Sequence, residues 1–454
     1  MDPLIRSISG LRGIAGTSFN YEIIISHVNA FLSLQKIGTI LVARDGRPHG
    51  KNYLNICYET IKNAGFNVVD CGIIPTPTAQ FLVKQHKYSG GILLTASHNP
   101  TEWNGLKFLD NDGCFVNPEK TKILLDRADK NIHPQNEIMG NILHNENAWI
   151  SHINHTLNLS CIDVKKIKSR NFKVVVDAVN SAGSTIIPYL LNELNCEVVK
   201  LNCNNDGYFS RGPEPIPENL KQLSEKVIKE KADFGLATDP DADRLAIVDE
   251  NGKPLGEEFT LALAIDGYFQ NANSKNAVVV NLSTSMLSEY SCKKHNIKLL
   301  RSKVGEINVV EEMIVQNSDI GGEGNGGVIL KESHLGRDSV IATVLTLNRF
   351  AMTSQMASEI RQSFPNYKLI KDKVSISGLD PDKILNLINS EFFEPKKDMR
   401  DGLKLTWNNK WIHIRKSNTE PIMRIYAESE NENDLIKHLN LIKTIIDKSR
   451  KETV

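Results

Sequence analysis

Through the first two-thirds of the chain, short β-branched runs alternate with longer amphipathic stretches. Residues 39–43, 172–177 and 277–281 are apolar runs short enough for buried strands, and each leads into a polar loop and then a helical pattern. The helical stretches include 52–62, 220–231 and 337–351. In the second of these, Leu220, Leu223, Val227 and Ile228 recur at the three-four spacing of one buried face. This threefold echo of strand, loop and helix suggests three related α/β units, although no residue-level repeat is visible. The last part of the chain reads differently. Strands are expected near 404–407, 411–415 and 422–428, followed by a helix over 431–447. An antiparallel sheet carrying a helix is a separate α+β domain. The expected domains are 1–155, 156–256, 257–368 and 369–454, and the charged tail 448–454 is expected to fray.

The length of 454 residues exceeds what one core organises and agrees with several domains. Lysine plus arginine and aspartate plus glutamate both number 54, so the net charge is zero. Nothing global attracts nucleic acid or an anionic membrane, and any phosphate recognition must come from local clusters. The start, Met1 to Arg6, lacks a basic region followed by an apolar run, so no signal peptide is expected. No apolar stretch reaches the ~18 residues of a membrane span. The seven cysteines are odd in number and lack Cys-x-x-Cys spacing, which points to reduced thiols in a cytoplasmic protein.

Four loops carry candidate chemistry. The first lies in Gly91-Ile-Leu-Leu-Thr-Ala-Ser-His-Asn-Pro100, where an apolar strand runs into Ser97, flanked by His98 and Asn99. A serine at a strand tip can be a rigidly held nucleophile, but its hydroxyl needs a base or a pre-loaded group. The bland alternative is a helix start. Asn99 would cap it, Pro100 would take the first position and Glu102 would complete a capping box. The two readings are compatible, because a helix N-terminus stabilises a phosphate.

The second loop is Ala237-Thr-Asp-Pro-Asp-Ala-Asp-Arg244, with Asp239, Asp241 and Asp243 at alternate positions. Three carboxylates this close need a compensating cation, and hard oxygen ligands select Mg²⁺, Ca²⁺ or Mn²⁺ over zinc. An extended chain would spread the first and third by about 13 Å, so the loop must curl. An EF-hand needs glycine at the sixth position, where Arg244 stands. It also needs helical flanks, where 233–237 and 245–248 read as strands. A solvated acidic turn is the plain alternative.

The third loop is Gly321-Gly-Glu-Gly-Asn-Gly-Gly327. Glu323 and Asn325 offer a carboxylate and an amide suited to vicinal sugar hydroxyls, while a flexible turn is the alternative. The fourth, Arg415-Lys-Ser-Asn-Thr-Glu-Pro421 with Arg424 after it, gathers the cations and donors of a phosphate cradle: Arg415, Ser417, Asn418, Thr419 and Arg424.

Each loop alone has a bland explanation. Together, in this order and over about residues 5 to 445, they resemble the alpha-D-phosphohexomutases. Arg-x-Ser-Asn-Thr-Glu-Pro is the most specific match. Ser9-Gly-Leu-Arg-Gly-Ile-Ala-Gly16 and Arg44-Asp-Gly-Arg47 are similar to two further family signatures, the latter mainly structural. The resemblance implies three α/β domains with mixed sheets and a fourth α+β domain around a central cleft. It implies a catalytic set of Ser97, His98, Lys107 and Arg12, with Lys107 as general base or acid; for an unassigned lysine, a solvated surface charge is the plain alternative. It also implies one Mg²⁺ on Ser97, Asp239, Asp241 and Asp243, and Arg244 beside them for a carboxylate or phosphoryl oxygen. Phosphorylated Ser97 would donate to a sugar monophosphate through a sugar bisphosphate, which also serves as activator.

The third loop departs from the common Glu-x-Ser-Gly-His pattern. Asn325 replaces the serine and Gly327 the histidine, so no histidine role carries over to position 327, and His334 lies seven residues on. This variant resembles phosphoglucosamine mutases, so glucosamine phosphate is the expected substrate. Glucose or mannose phosphates are the alternative. A non-catalytic sugar-phosphate-binding protein is weighed against Ser97, Lys107 and the three aspartates, and a phosphatase lacks a visible water-activating group. The expected partner is a small sugar phosphate, with the protein a monomer or homodimer.

Overall fold

Four β-sheets, each formed by one contiguous stretch of chain, follow one another in sequence. The computed structural model describes residues 2–8, 10–134, 136–417 and 421–451. The first sheet holds β1 (Ile5–Ser7), β2 (Gly10–Ile14), β3 (Thr39–Arg44), β4 (Asn67–Ile73), β5 (Gly90–Leu94), β6 (Trp103–Leu109) and β7 (Ile142–His144). The second holds β8 (Lys173–Asp177), β9 (Glu197–Leu201), β10 (Phe234–Thr238) and β11 (Leu245–Asp249). The third holds β12 (Val278–Asn281), β13 (Leu299–Ser302), β14 (Ile320–Glu323) and β15 (Gly327–Leu330). The fourth holds β16 (Lys368–Ser375), β17 (Lys396–Asp398), β18 (Leu403–Thr406), β19 (Lys410–Lys416) and β20 (Ile422–Ser429).

The threefold echo in the sequence is a topological repeat. In the second and third sheets the strand orders are β9-β8-β10-β11 and β13-β12-β14-β15, and the first sheet contains β4-β3-β5-β6 at its centre. In each set the first three strands are parallel and the fourth turns back antiparallel on the third. The Ser97 loop joins β5 to β6, the aspartate loop joins β10 to β11, and the glycine loop joins β14 to β15. Three loops of different chemistry thus occupy one equivalent hairpin, at the carboxyl end of a parallel strand, where open α/β sheets bind ligands. The fourth sheet is antiparallel throughout, and its loop joins β19 to β20.

The strands are buried for a reason visible in their composition. β5, β10, β11, β12 and β15 are buried at every position, covered by helices on both faces. The second and third units share one continuous apolar core, running from Leu190 and Leu236 through Leu263 to Val344 and Leu345. The first sheet has a separate core on each face. The fourth unit packs its own core under the helix Glu432–Lys451. Each fully buried Leu, Ile or Phe contributes about 1.5–3 kcal/mol, so the hairpins rest on rigid supports. Glu428 ties the fourth sheet to the third unit, accepting from the Met286 amide and the Trp411 indole at 2.7 Å each. Among the described residues no helix is long and apolar enough to cross a membrane. The seven cysteines are free thiols.

Two local expectations are corrected. Residues 95–102 form no helix; they are the turn of the β5–β6 hairpin, because Trp103 to Leu109 pairs back on β5. The helix start expected at Ser97, and the phosphate stabilisation it would bring, are therefore not found in this loop. The expected helix over 337–351 begins at Ser339, with Asp338 as its cap, accepting from the Val340 and Ile341 amides at 2.8 and 3.3 Å. That leaves Arg337 outside the helix.

Candidate active site

Ser97 sits in the left-handed region at φ 50°, a conformation that costs about 1 kcal/mol or more in a residue other than glycine. Neighbours hold it there. Its amide donates to Thr95 Oγ1 at 2.9 Å, and that hydroxyl donates to Asp45 Oδ2 at 2.6 Å. Arg47 pairs with Asp45 and donates to the carbonyls of Ser97 (2.9 Å) and Asn99 (2.5 Å). The Arg44-Asp-Gly-Arg47 segment therefore clamps the serine loop. Arg12, on β2, donates to Asn99 Oδ1 at 3.1 Å and closes the other side. Ser97 Oγ lies 3.5 Å from Asp239 Oδ2 and 3.4 Å from His98 Nδ1. Burial, reinforced by the charges of Arg244 and Arg12, pushes His98 down to about 2. The imidazole is neutral, and its Nδ1 accepts from Arg244 Nη2 at 3.2 Å.

The aspartate loop curls as three close carboxylates require. Ala242 adopts φ 50°, and Asp239 Oδ1 accepts from the amides of Asp243 (3.1 Å) and Arg244 (3.2 Å). One carboxylate oxygen from each of Asp239, Asp241 and Asp243 lies within 4.8 Å of the others, and all three residues are buried. Strands on both sides exclude an EF-hand. Lys107, on β6, is not a surface charge. It is 3% exposed, with Nζ 2.6 Å from Asp241 Oδ2 and 3.5 Å from Asp243 Oδ2. Thr76 adds two bonds to Asp241, from its hydroxyl (2.6 Å) and its amide (2.9 Å). Burial works against the Asp241 charge, but Lys107 and Thr76 outweigh it and hold that carboxyl below the usual range. Asp239 is pushed well above the usual range, first by burial and then by Asp243 and Asp241.

These residues fit a hard divalent ion. Among the described residues Asp241 Oδ1 and Asp243 Oδ1 are buried without a hydrogen-bond partner, although Arg244 Nε stands 3.7 Å from the latter, while the second oxygen of each is taken by cations. Two orphaned, buried carboxylate oxygens facing a third acid are costly unless a cation satisfies them. Arg244 pairs with Glu214 at 2.8 Å and lies 3.7 Å from Asp243.

In the glycine loop, Glu323 Oε1 accepts from Asn281 Nδ2 (2.8 Å) and the Gly305 amide (3.0 Å). Glu323 Oε2 accepts from Arg337 Nη1 at 3.1 Å. Asn325 turns inward on its own loop, accepting from the Gly327 amide at 3.2 Å. Gly326, at φ 85°, lies so close to β11 that a Cβ would fall 2.4 Å from the Leu245 carbonyl, and that carbonyl's own amide donates to Gly326 O at 3.0 Å. The glycine loop is thereby bonded to the strand leaving the aspartate loop. His334 does not reach it. Its Nε2 pairs with Asp338 at 3.0 Å, beside His152, which pairs with the same oxygen at 3.1 Å.

The fourth loop stands on a different sheet. Arg415 and Arg424 face each other across β19 and β20, and Ser417 follows at the end of β19. Arg415 Nε is buried without a partner among the described residues. Asn418 and Thr419 lie outside the described residues.

Sequence reasoning missed Thr76, Asp45 and Arg337. Asp45 lies inside the Arg44-Asp-Gly-Arg47 segment, which the sequence marks as mainly structural, and no local pattern sets Thr76 apart. Arg337 was assigned to a helix.

Three consecutive family models match the chain: phosphoglucomutase/phosphomannomutase alpha/beta/alpha domain I over residues 5–134, domain II over 147–252 and domain III over 256–367. The chain belongs to the phosphoglucomutase/phosphomannomutase family. It is therefore a phosphohexomutase, an isomerase that moves a phosphoryl group within a sugar phosphate. A "Phosphoglucomutase/phosphomannomutase" of Thermococcus kodakarensis is 36% identical, covering 95% of this chain and 96% of that one. A "Phosphoglucosamine/phosphogalactosamine mutase" of Sulfurisphaera tokodaii is 32% identical, covering 96% and 98%. A solved phosphoglucomutase/phosphomannomutase family protein from Burkholderia thailandensis shares the fold, with a TM-score of 0.85 at 22% identity over 98% of each chain. In this chain the three matched stretches carry the serine, aspartate and glycine loops in turn.

Proposed function

We propose that the protein interconverts glucosamine 6-phosphate and glucosamine 1-phosphate through a phosphorylated Ser97. The observation that carries the mutase chemistry is the Ser97 hydroxyl, held in a strained turn 3.5 Å from a buried aspartate triad. Phosphorylated Ser97 transfers its phosphoryl group to the free hydroxyl of the sugar monophosphate. The Ser97 Oγ–P bond breaks and a sugar O–P bond forms, giving a bisphosphate. Lys107 relays the proton: its ammonium gives one to the departing Ser97 Oγ, and the amine so formed takes up the proton of the attacking sugar hydroxyl, the return step running the same relay in reverse. After the bisphosphate turns over in the site, Ser97 Oγ takes the other phosphoryl group. The same chemistry makes an added sugar bisphosphate the activator that loads unphosphorylated enzyme.

Asp239, Asp241 and Asp243, with Ser97, would hold one Mg²⁺, which when bound neutralises charge on the transferring group. Neutral His98 and Arg244 form the wall beside Ser97, where Arg244 is placed to meet a phosphoryl oxygen. Arg12 and Asn99 fix the turn. Arg415, Ser417, Asn418, Thr419 and Arg424 anchor the phosphate that is not reacting, in either orientation of the sugar.

The amino sugar is favoured by Glu323, a carboxylate able to accept charge-assisted bonds from a protonated C2 amine. The Sulfurisphaera tokodaii relative supports it by name. The Thermococcus kodakarensis relative favours a second reading, glucose or mannose phosphates, whose hydroxyls Glu323 would also bind. Incubating the protein with a sugar bisphosphate tests the mechanism. Intact-mass spectrometry should show one phosphate adduct that Ser97→Ala removes along with turnover. Undiminished activity in that variant would end the proposal.

A further inference from the structure

We propose that Arg337 is a positioning residue that holds the aspartate loop and the sugar loop together, and that position 327 is glycine because the arginine occupies its side-chain space. The proposal rests on reading Asp239, Asp241 and Asp243 as the cation site and Glu323 as the sugar contact. One guanidinium serves three acids. Nη2 donates to Asp243 Oδ2 at 2.7 Å, Nη1 to Glu323 Oε2 at 3.1 Å and Nε to Glu306 Oε2 at 2.9 Å. Arg337 is 9% exposed, so these bonds lie in a dry environment where charge-assisted contacts are strong. By taking Asp243 Oδ2, the arginine leaves Oδ1, which has no hydrogen-bond partner among the described residues and Arg244 Nε 3.7 Å away, as the oxygen turned to a cation. By taking Glu323 Oε2, it fixes the carboxylate that the sugar meets.

Gly327 makes this reach possible. A Cβ there would lie 2.3 Å from Arg337 Cδ and 2.8 Å from its Cγ. Its backbone is not in the left-handed region, so space and not conformation demands glycine. The stem of the arginine thus fills the place where a residue-327 side chain would stand. The neighbours of Arg337 are fixed as well. Gly336 packs against Gln80, with a Cβ there falling 2.4 Å from its Oε1. Asp338 is gripped by His152 and His334, and Ser339 Oγ donates to the Ala242 carbonyl of the aspartate loop at 2.7 Å. Residues 336–339 therefore touch the first, second and third units at once.

The test uses the full chain and the hexose phosphate that the wild type turns over best. In Arg337→Met, Mn²⁺ measured by calorimetry without substrate should bind about fivefold tighter or more, because a cation beside Asp243 is gone. KM for the sugar phosphate should rise at least about tenfold and kcat should fall, because Glu323 Oε2 loses the arginine that holds it. A merely structural role predicts weaker Mn²⁺ binding instead. Arg337→Lys should restore part of both parameters, having charge but not the three-way reach. Gly327→Ala should raise KM as Arg337→Met does, and the double variant should be no worse than Arg337→Met alone. Wild-type KM in Gly327→Ala, or weaker Mn²⁺ binding in a folded Arg337→Met, overturns the proposal. If Arg337→Met does not fold, Gly327→Ala and Arg337→Lys decide on KM. If the wild type prefers a glucose or mannose phosphate while these shifts hold, the substrate reading fails and the role of Arg337 stands.

Discussion

Replacing Lys107 by methionine removes the ammonium wedged between two buried aspartates while keeping most of the side chain's volume. Lys107 Nζ lies 2.6 Å from Asp241 Oδ2, an attraction of about 6 kcal/mol at an effective dielectric of ~20. At 3.5 Å, Asp243 adds about 5 kcal/mol on the same basis. Desolvation of the three groups offsets most of that sum, and breaking a buried pair by removing one partner costs about 3–5 kcal/mol. Lys107→Met should therefore lose about 3–5 kcal/mol of stability in chelator, read by urea unfolding. Mg²⁺ should restore much of it, since a ligand at 100 times its Kd adds about 2.7 kcal/mol and the variant binds the ion more tightly. Turnover should fall about 10²- to 10⁴-fold, as expected for a lost acid–base group. Wild-type stability in chelator, or no extra gain with Mg²⁺, would refute the idea that Lys107 stands in for cation charge at the aspartates.

Chelation should abolish activity and Mg²⁺ should restore it. Full activity in Asp241→Asn, or turnover supported by zinc alone, would displace the ligand assignment. Arg415→Ala should raise KM and lower kcat together, by about 2–5 kcal/mol in kcat/KM, because both orientations of the intermediate lose their anchor; an unchanged kcat/KM moves the phosphate site elsewhere. Glu258 is pushed up to about 8, chiefly by burial, with Lys371 and the Ser285 amide opposing. Its carboxyl stays protonated in the fold above the pH at which it ionises in the unfolded chain. Its contribution therefore falls as pH rises from about 4.3 to about 8, by up to about 1.4 kcal/mol per unit. Glu258→Gln should flatten that decline in pH-dependent unfolding, and identical slopes for the two proteins would contradict it.

The sheets were legible where strands are buried on both faces. Val174 to Val176 and Val278 to Val280 are uninterrupted apolar runs; of the stripe expected over 220–231, Leu220, Leu223 and Val227 are buried but Ile228 is exposed, and the helix from Ser339 to Ala351 is buried all round. β16 went unread because it is an edge strand, paired only with β20, and its Lys-Leu-Ile-Lys-Asp-Lys-Val-Ser sequence is largely solvent-facing. The aspartates were legible because alternate acids between apolar strands have few other uses. At Ser97, Asn99-Pro100 with Glu102 mimics a helix start, and only the pairing of Leu94 with Leu106 across the hairpin decides against it. Arg337 was hidden by a boundary of two residues. The signal was present, since Asp338-Ser339 before an apolar run is a cap, and a residue preceding a cap is free to point elsewhere. Its three acid partners come from distant parts of the chain, and no local pattern announces them.

The central claim is tested most directly by kcat/KM for glucosamine 6-phosphate, glucose 1-phosphate and mannose 1-phosphate, measured on one preparation with Mg²⁺ and a sugar bisphosphate activator. The highest value should belong to glucosamine 6-phosphate, with measurable turnover of the others because Glu323 also accepts from hydroxyls. A higher kcat/KM for the glucose or mannose phosphate would contradict the amino-sugar assignment, and no turnover of any of the three would contradict the mutase mechanism itself.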